Sequence, residues 1–186
     1  MSTATAAKPA ASTIGGGIAF AATTATAPTS ANAALGTGFT NVGFISSDGV
    51  RRNITMDTQT IKAWGGEVAL ATAGGKTETF RFKIIEAFNV DVLGLVLGSA
   101  SGTLSGTGGI TVNSTAGDQT PKMWVITMLE ADGVTHRIVI PKGLITGIGE
   151  IQYADGSAEG YELTVTAMVD DSGKTAYEYL KAATTN

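Results

Sequence analysis

His136 is the only histidine in the chain and there is no cysteine. Imidazole pairs, thiolate nucleophiles, Cys/His metal centres and disulfides are therefore excluded. His136 lies beside Val134 and Ile138 on a predicted strand, where a lone imidazole reads as structural or solvated. Glu150, Asp155, Glu159 and Glu162 crowd together, and paired carboxylates can do acid/base work. They surround an Asp155-Gly156 turn, however, where acidic residues serve solubility and turn geometry. Asp170-Asp171-Ser172-Gly173 has the acidic start of a calcium loop but lacks its alternating ligands and closing glutamate, so it reads as a turn. The glycine-rich stretch from Gly102 to Gly109 follows no strand leading into a helix, which removes the phosphate-cradle reading. No nucleophile, base and oxyanion donors converge in the pattern. The chain reads as non-enzymatic, with no cofactor and no metal.

The elements that would position any site come from a chain of 186 residues, the length of one β-rich domain with appendages. Twelve basic and 16 acidic residues give a net charge of −4. Lys and Arg are not clustered, so phosphate-neutralising nucleic-acid binding is not indicated. Charged residues make up only 15% of the chain, and the mean hydropathy is +0.19. No apolar run approaches the roughly 18–20 residues of a spanning helix. Two explanations of the low charge stand side by side: dilution by an Ala/Gly/Thr-rich N-terminal segment, and weakly polar surface covered between subunits.

Residues 1–38 form that segment, with Lys8 as its only charge and Gly15-Gly16-Gly17 in its middle. Without periodicity it reads as a flexible arm, removable over residues 2 to 30 without unfolding the domain. The rival signal-peptide reading, Lys8 before Ile14 to Ala22, suffers from the three glycines. The domain then spans 39–186. Val42 to Ser46 and Val50 to Met56 flank Ser47-Asp48-Gly49 and predict a hairpin. Residues 57–76, with Trp64-Gly65-Gly66, lack clean alternation and read as a long loop leaving the sheet. Thr77 to Ile85 alternates, with Phe80, Phe82 and Ile84 on one face. Ala87 to Leu97 predicts one helix with Phe88, Val92, Leu95 and Val96 as its apolar stripe and Gly98 as its stop. Residues 99–121, around Ile110-Thr111-Val112, read as a flexible connector or a second excursion from the sheet. Two more hairpins follow: Met123 to Glu130 with Val134 to Ile140, and Ile145 to Tyr153 with Glu162 to Val169. Tyr161, Leu163, Val165, Ala167 and Val169 share one face. Both faces of Met123 to Glu130 are apolar, as in a strand central to two layers or covered by another subunit. Tyr177 to Leu180 is too short to assign.

In order along the chain stand GFISSDG (43–49), IKAWGGE (61–67), TETFRFKIIE (77–86), a short helix ending at glycine, and YADGSAEGYELTVTA (153–167). This ordered set resembles the major tail tube proteins of long-tailed bacteriophages that infect actinobacteria, over about residues 39–170. The resemblance implies a mainly β fold, a sandwich or barrel-like tube fold with one flanking helix. It further implies subunits that form hexameric rings, stacked through loops and termini into a tube that carries the viral genome. Under it, Ile61, Lys62, Ala63, Trp64, Gly65, Gly66 and Glu67 form the ring-stacking loop, with Trp64 as anchor or, alternatively, as a core tryptophan. Glu150, Asp155 and Glu159 are lumen-facing candidates. The implied partners are further copies of the chain, the tape measure, tail terminator and distal tail proteins, and DNA as transient cargo, with no membrane. The place implied is the virion tail, after assembly in the host cytoplasm. The alternative is a secreted or virion-surface β-sandwich that binds a receptor, a carbohydrate or a capsid.

Overall fold

Every second residue from Glu78 to Ile84 and from Tyr161 to Ala167 is buried, the period-two pattern of strands with one face on a core. The computed structural model describes residues 11–12, 17–103, 108–115, 119–129, 134–153 and 160–182. They form β1 (Ala11–Ser12), β2 (Ile18–Ala22), β3 (Thr40–Asn41), β4 (Ile45–Lys62), β5 (Val68–Ile84), α1 (Val90–Leu97), β6 (Gly98–Gly102), β7 (Ile110–Ser114), β8 (Lys122–Leu129), β9 (Thr135–Ile148), β10 (Tyr161–Met168) and β11 (Tyr177–Lys181). All pairings are antiparallel. The fold is thus mainly β with one helix, as expected.

The large sheet runs β3-β2-β8-β9-β10-β5-β4, with β1 also on β8 and β11 also on β9. Its two end strands, β3 and β4, are consecutive in the chain. Thr40 and Asn41 pair with Phe20 and Ala19 of β2, and the Val42 amide still donates to the Ile18 carbonyl at 3.1 Å. Two residues later the Phe44 carbonyl accepts from the Ile85 amide at 2.9 Å, and Ile45 pairs with Ile84 of β5. One segment therefore bonds to both ends of the sheet and curls it into a barrel-like shell, which removes the exposed edges there. The switch requires Gly43: its φ is +81°, and a Cβ at that position would collide with the Glu86 side chain.

Inside the shell Ile18, Val42, Phe80, Phe82, Ile84, Trp124, Ile126, Ile140, Tyr161, Leu163 and Val165 pack into one core. Val92, Leu93, Leu95 and Val96 of α1 close over it. The helix starts at Asn89, whose side-chain oxygen accepts from the amides of Asp91 and Val92, and it stops at Gly98 as read. It is shorter than the predicted 87–97 because Asn89 caps it. Phe88 thus falls before the helix and is exposed, not on the apolar stripe.

β8 sits between β2 and β9 with Met123, Trp124, Val125 and Ile126 all buried, the central-strand reading of its two apolar faces. Trp124 and Ile126 face the core. Over the other face lies the chain around Ala31, itself buried. The buried Arg137 holds it there, donating from Nη1 to the Ser30 and Ala33 carbonyls at 3.1 and 2.6 Å, and from Nε to Thr127 Oγ1 at 3.1 Å. Part of the segment read as a flexible arm is therefore built into the sheet. Ala-rich β2 lacked a strand signal because it has little alternation to show: Ile18, Ala19 and Ala21 are all buried, so both its faces are covered.

Other departures share one cause, strands that continue through turn-like residues. Ser47-Asp48-Gly49 makes no hairpin; it lies where the β4–β5 register jumps between Ile45/Ile84 and Val50/Phe82, a bulge that increases the bend. Pro141 does not end β9, which pairs with β8 and β11 in its first half and with β10 in its second. β6 and β7 pair as a separate two-stranded sheet, the excursion reading of this stretch and not a plain connector. Val169, placed by alternation on the buried face, lies past the end of β10 and is exposed. The predicted turn at 131–133 lies outside the described residues.

The Trp124 Nε1–H donates to the Gly143 carbonyl at 3.2 Å, and a Cβ at Gly143 would sit 2.5 Å from the indole and 2.8 Å from Val165. Gly143→Ala should therefore cost about 1–3 kcal/mol through overpacking, read from the shift of a urea unfolding curve. Deleting residues 2–30 removes β1 and β2 and is expected to abolish soluble folded protein, whereas deletion of residues 2–10 alone keeps every described strand; circular dichroism of the two truncations checks this.

Candidate functional site

β10 stops supporting β5 at Glu78, its last partner there being Ala167. Beyond that point, among the described residues, β4 and β5 pair only with each other, from Ile54/Glu78 to Lys62/Val68. The expected loop over residues 57–76 is thus a two-stranded ribbon, about 30 Å long at roughly 3.4 Å per residue, with register shifts between Met56 and Thr58 and between Ile61 and Lys62. Its turn is closed by the Ala63 amide on the Glu67 carbonyl at 2.8 Å and the Gly66 amide on the Ala63 carbonyl at 2.9 Å. The alternation was hard to read because a register shift between Met56 and Thr58 breaks the phase.

The ribbon carries Ile54, Met56, Ile61, Val68 and Leu70, each about half or more exposed, and at its tip Trp64 at 107% of its reference exposure. Trp64 is therefore not a core tryptophan of its own subunit; Trp124 fills that role. Ile61 and Leu70 face each other across the ribbon. A lone two-stranded ribbon is marginally stable in water, and this one leaves a concentration of apolar residues exposed on a projection. Ile61, Lys62, Ala63, Trp64, Gly65, Gly66 and Glu67 are brought together as the end of β4 and the turn. Sequence reading did not include Ile54, Met56, Val68 and Leu70, whose only signal was apolar residues scattered among Thr and Ala.

An ionic cluster fixes the base of the ribbon. Glu78 is fully buried on the same face as Phe80 and Phe82, and it accepts from Arg52 Nε at 2.5 Å and Thr175 Oγ1 at 2.8 Å, with Lys76 Nζ at 3.5 Å. Arg52 also reaches Glu178 of β11 at 3.2 Å and lies over the Phe80 ring. Glu178 in turn lies 2.6 Å from His136 Nε2. Thus His136 belongs to a structural bridge between β9, β11 and β4. The signal for Glu78 was present in the sequence, since alternation puts it in line with Phe80, Phe82 and Ile84.

Glu150 is exposed beyond the end of β9, Glu162 pairs with Arg81 at 3.5 Å, and Asp155 and Glu159 lie outside the described residues. Asp170 forms a turn: its Oδ1 accepts from the Ser172 and Lys174 amides at 2.8 and 2.9 Å and its Oδ2 from the Tyr177 hydroxyl at 2.6 Å. Among the described residues no three His, Asp or Glu side chains form a metal site, and no helix is long and apolar enough to cross a membrane.

Burial pushes the Glu78 carboxyl up, but the hydrogen bonds of Thr175 and Arg52 and the charges of Arg52 and Lys76 outweigh it and leave it below its ordinary value. Glu178 is likewise raised by burial and lowered further by His136 and Arg52, again to a net depression. Depressed carboxylates stabilise the fold above their unfolded pKa, and that stability is lost as pH falls through the folded-state values. Stability is therefore expected to hold near neutrality and to fall on acidification below about pH 4. Glu78→Gln should flatten that acid limb and cost about 1–3 kcal/mol at pH 7 by leaving buried hydrogen bonds poorly met; urea melts across pH on both proteins check it.

A family model described as phage tail tube protein matches residues 7–186. No curated protein is similar enough to the chain to count as a match. The family match takes in the barrel-like shell, the helix and the whole ribbon, and on that extent the chain belongs to the phage tail tube protein family.

Proposed function

We propose that copies of this chain close into rings, six to a ring, which stack into the tube through which the phage genome passes. The family is one of structural virion tail components and not of enzymes. The single observation that carries the finer reading is the β4–β5 ribbon, which projects apolar side chains and a wholly exposed tryptophan from a body whose own core is already filled. Such a surface needs a partner, and an extended projection is suited to reach a neighbouring copy. Contacts that close by rotation make rings, and a second heterologous contact stacks them. The number six follows from the resemblance of the ordered motifs.

In this reading residues 61–67 are the stacking tip, with Trp64 as its anchor, since buried aromatics dominate interface energetics. The N-terminal residues ahead of β2 add to the stacking surface. Glu150, Asp155 and Glu159 face the lumen, where negative charge keeps passing DNA from adhering. The tape measure, tail terminator and distal tail proteins are the neighbours along and at the ends of the tube, and assembly takes place in the host cytoplasm.

Negative-stain electron microscopy of the concentrated protein, with light scattering on the same sample, is expected to show rings or hollow tubes; a monodisperse monomer at high concentration would overturn self-assembly. Trp64→Ala should leave thermal unfolding unchanged and weaken polymerisation roughly 30-fold, the effect of losing an anchor worth about 2 kcal/mol. Sedimentation of assembled material against protein concentration measures it, and parent-like assembly would remove Trp64 from the interface.

A further inference from the structure

The acceptor for the ribbon tip is the part of the stacking contact that the subunit's own geometry constrains. A cavity of about 440 Å³ opens between α1, β6 and the neighbouring ends of β2 and β8. Phe20, Val90 and Leu95 give it apolar walls, Gln119 gives a polar one, and Asp91 and Lys122 stand at it with opposite charges. Gly94 adds to the hollow because a residue of helix α1 without a side chain lines it. Phe20 packs on Trp124 with ring centroids 5.7 Å apart and has Lys122 Nζ 5.9 Å from its centroid, so an aromatic surface is already held in place there.

The register places this cavity and the ribbon toward opposite ends of the strands. Lys122 pairs with Gly143, and so does Ala167, whose other partner is Glu78, where β5 leaves the sheet. From that shared level the ribbon runs the way β8 runs, toward its Leu129 end, since adjacent strands alternate in direction through β9, β10 and β5. The cavity lies at the Lys122 end, beside the helix that follows the Ile84 end of β5. A second copy displaced along the strands brings a tip and a cavity together, and the same contact then repeats from copy to copy, as a heterologous interface requires.

The chemistry matches as well as the placement. The tip offers one indole between a cation, Lys62, and an anion, Glu67, all exposed. The cavity offers aromatic and aliphatic walls between an anion, Asp91, and a cation, Lys122. Indole on Phe20 gains from aromatic packing beyond its buried area, and its N–H finds an acceptor among polar side chains such as Gln119.

We propose that Trp64 of one copy seats in this cavity of the next copy, with Lys62 toward Asp91 and Glu67 toward Lys122. The proposal rests on the reading of the ribbon as the stacking element and names its partner surface.

The chain has no cysteine, so engineered pairs report only on the contact tested. Lys62→Cys with Asp91→Cys, and Glu67→Cys with Lys122→Cys, are assembled under reducing conditions and then oxidised. A ladder of covalent oligomers on a denaturing gel is expected from both pairs, and none from Glu67→Cys with Glu150→Cys. Tubes that form without a ladder from either designed pair overturn the acceptor while leaving the ribbon as the stacking element. Should the cysteine variants not assemble, charge reversal decides. Lys62→Glu and Asp91→Lys should each lower sedimentable polymer several-fold and together restore it, and absence of restoration overturns the pairing. Parent-like assembly of Trp64→Ala removes the stacking reading itself, a result distinct from either.

Discussion

The closure made by Thr40 to Ile45 is the constraint on which the rest of the molecule depends. Because this short stretch bonds to β2 and then to β5, the sheet has to curl, and a curled sheet of this width encloses an interior that only side chains and one helix can fill. Val42 points into that interior with no exposure, and Gly43 turns the backbone where no side chain fits. The Trp124–Gly143 contact follows from the same enclosure, since a large indole in a small shell needs a bare backbone opposite it.

Closure of the body also explains why the ribbon is different in kind. The core cluster draws no side chain from residues 54–77 among the described residues, so their apolar side chains stay about half exposed or more in their own subunit, and a protein that stayed monomeric would carry them at a cost in solubility. The ionic cluster of Arg52, Glu78, Thr175, Glu178 and His136 sits where shell and ribbon part. It joins β4, β5, β9, β11 and the turn before β11, and so fixes the direction in which the ribbon leaves. Isolated surface ion pairs contribute little, but Glu78 is buried and multiply bonded, and its directional bonds make the geometry at the base specific.

Arg137 plays a similar part on the opposite side of the sheet. Its burial lowers its pKa, and no carboxylate pairs with it among the described residues; carbonyl and hydroxyl oxygens of residues 30, 33 and 127 take up its donors. The N-terminal chain is thereby strapped over β8, which accounts for the second apolar face of that strand. A segment that looks featureless in composition is integral to the fold because an arginine a hundred residues away binds its backbone.

What the sequence determined by itself were the features set by local periodicity and residue type. These are the alternation of the core strands read at 77–85 and 162–169, the helix ended by Gly98, the central character of the strand read at Met123 to Glu130, the absence of cysteine, and the ordered motifs that marked the family. Tertiary structure alone decided the rest. β2 shows no alternation because both its faces are covered, β9 continues through Pro141 because β8, β10 and β11 hold it, and Ser47-Asp48-Gly49 became a bulge because its neighbours pair with β5 and not with each other. The ribbon's identity as regular structure was hidden by a phase break at Met56, and its exposed side chains could be told from core only once another tryptophan had been placed inside. Periodicity reports which faces are apolar; which of them finds a partner within the same chain depends on contacts far apart in sequence, and those are fixed only when the sheet closes.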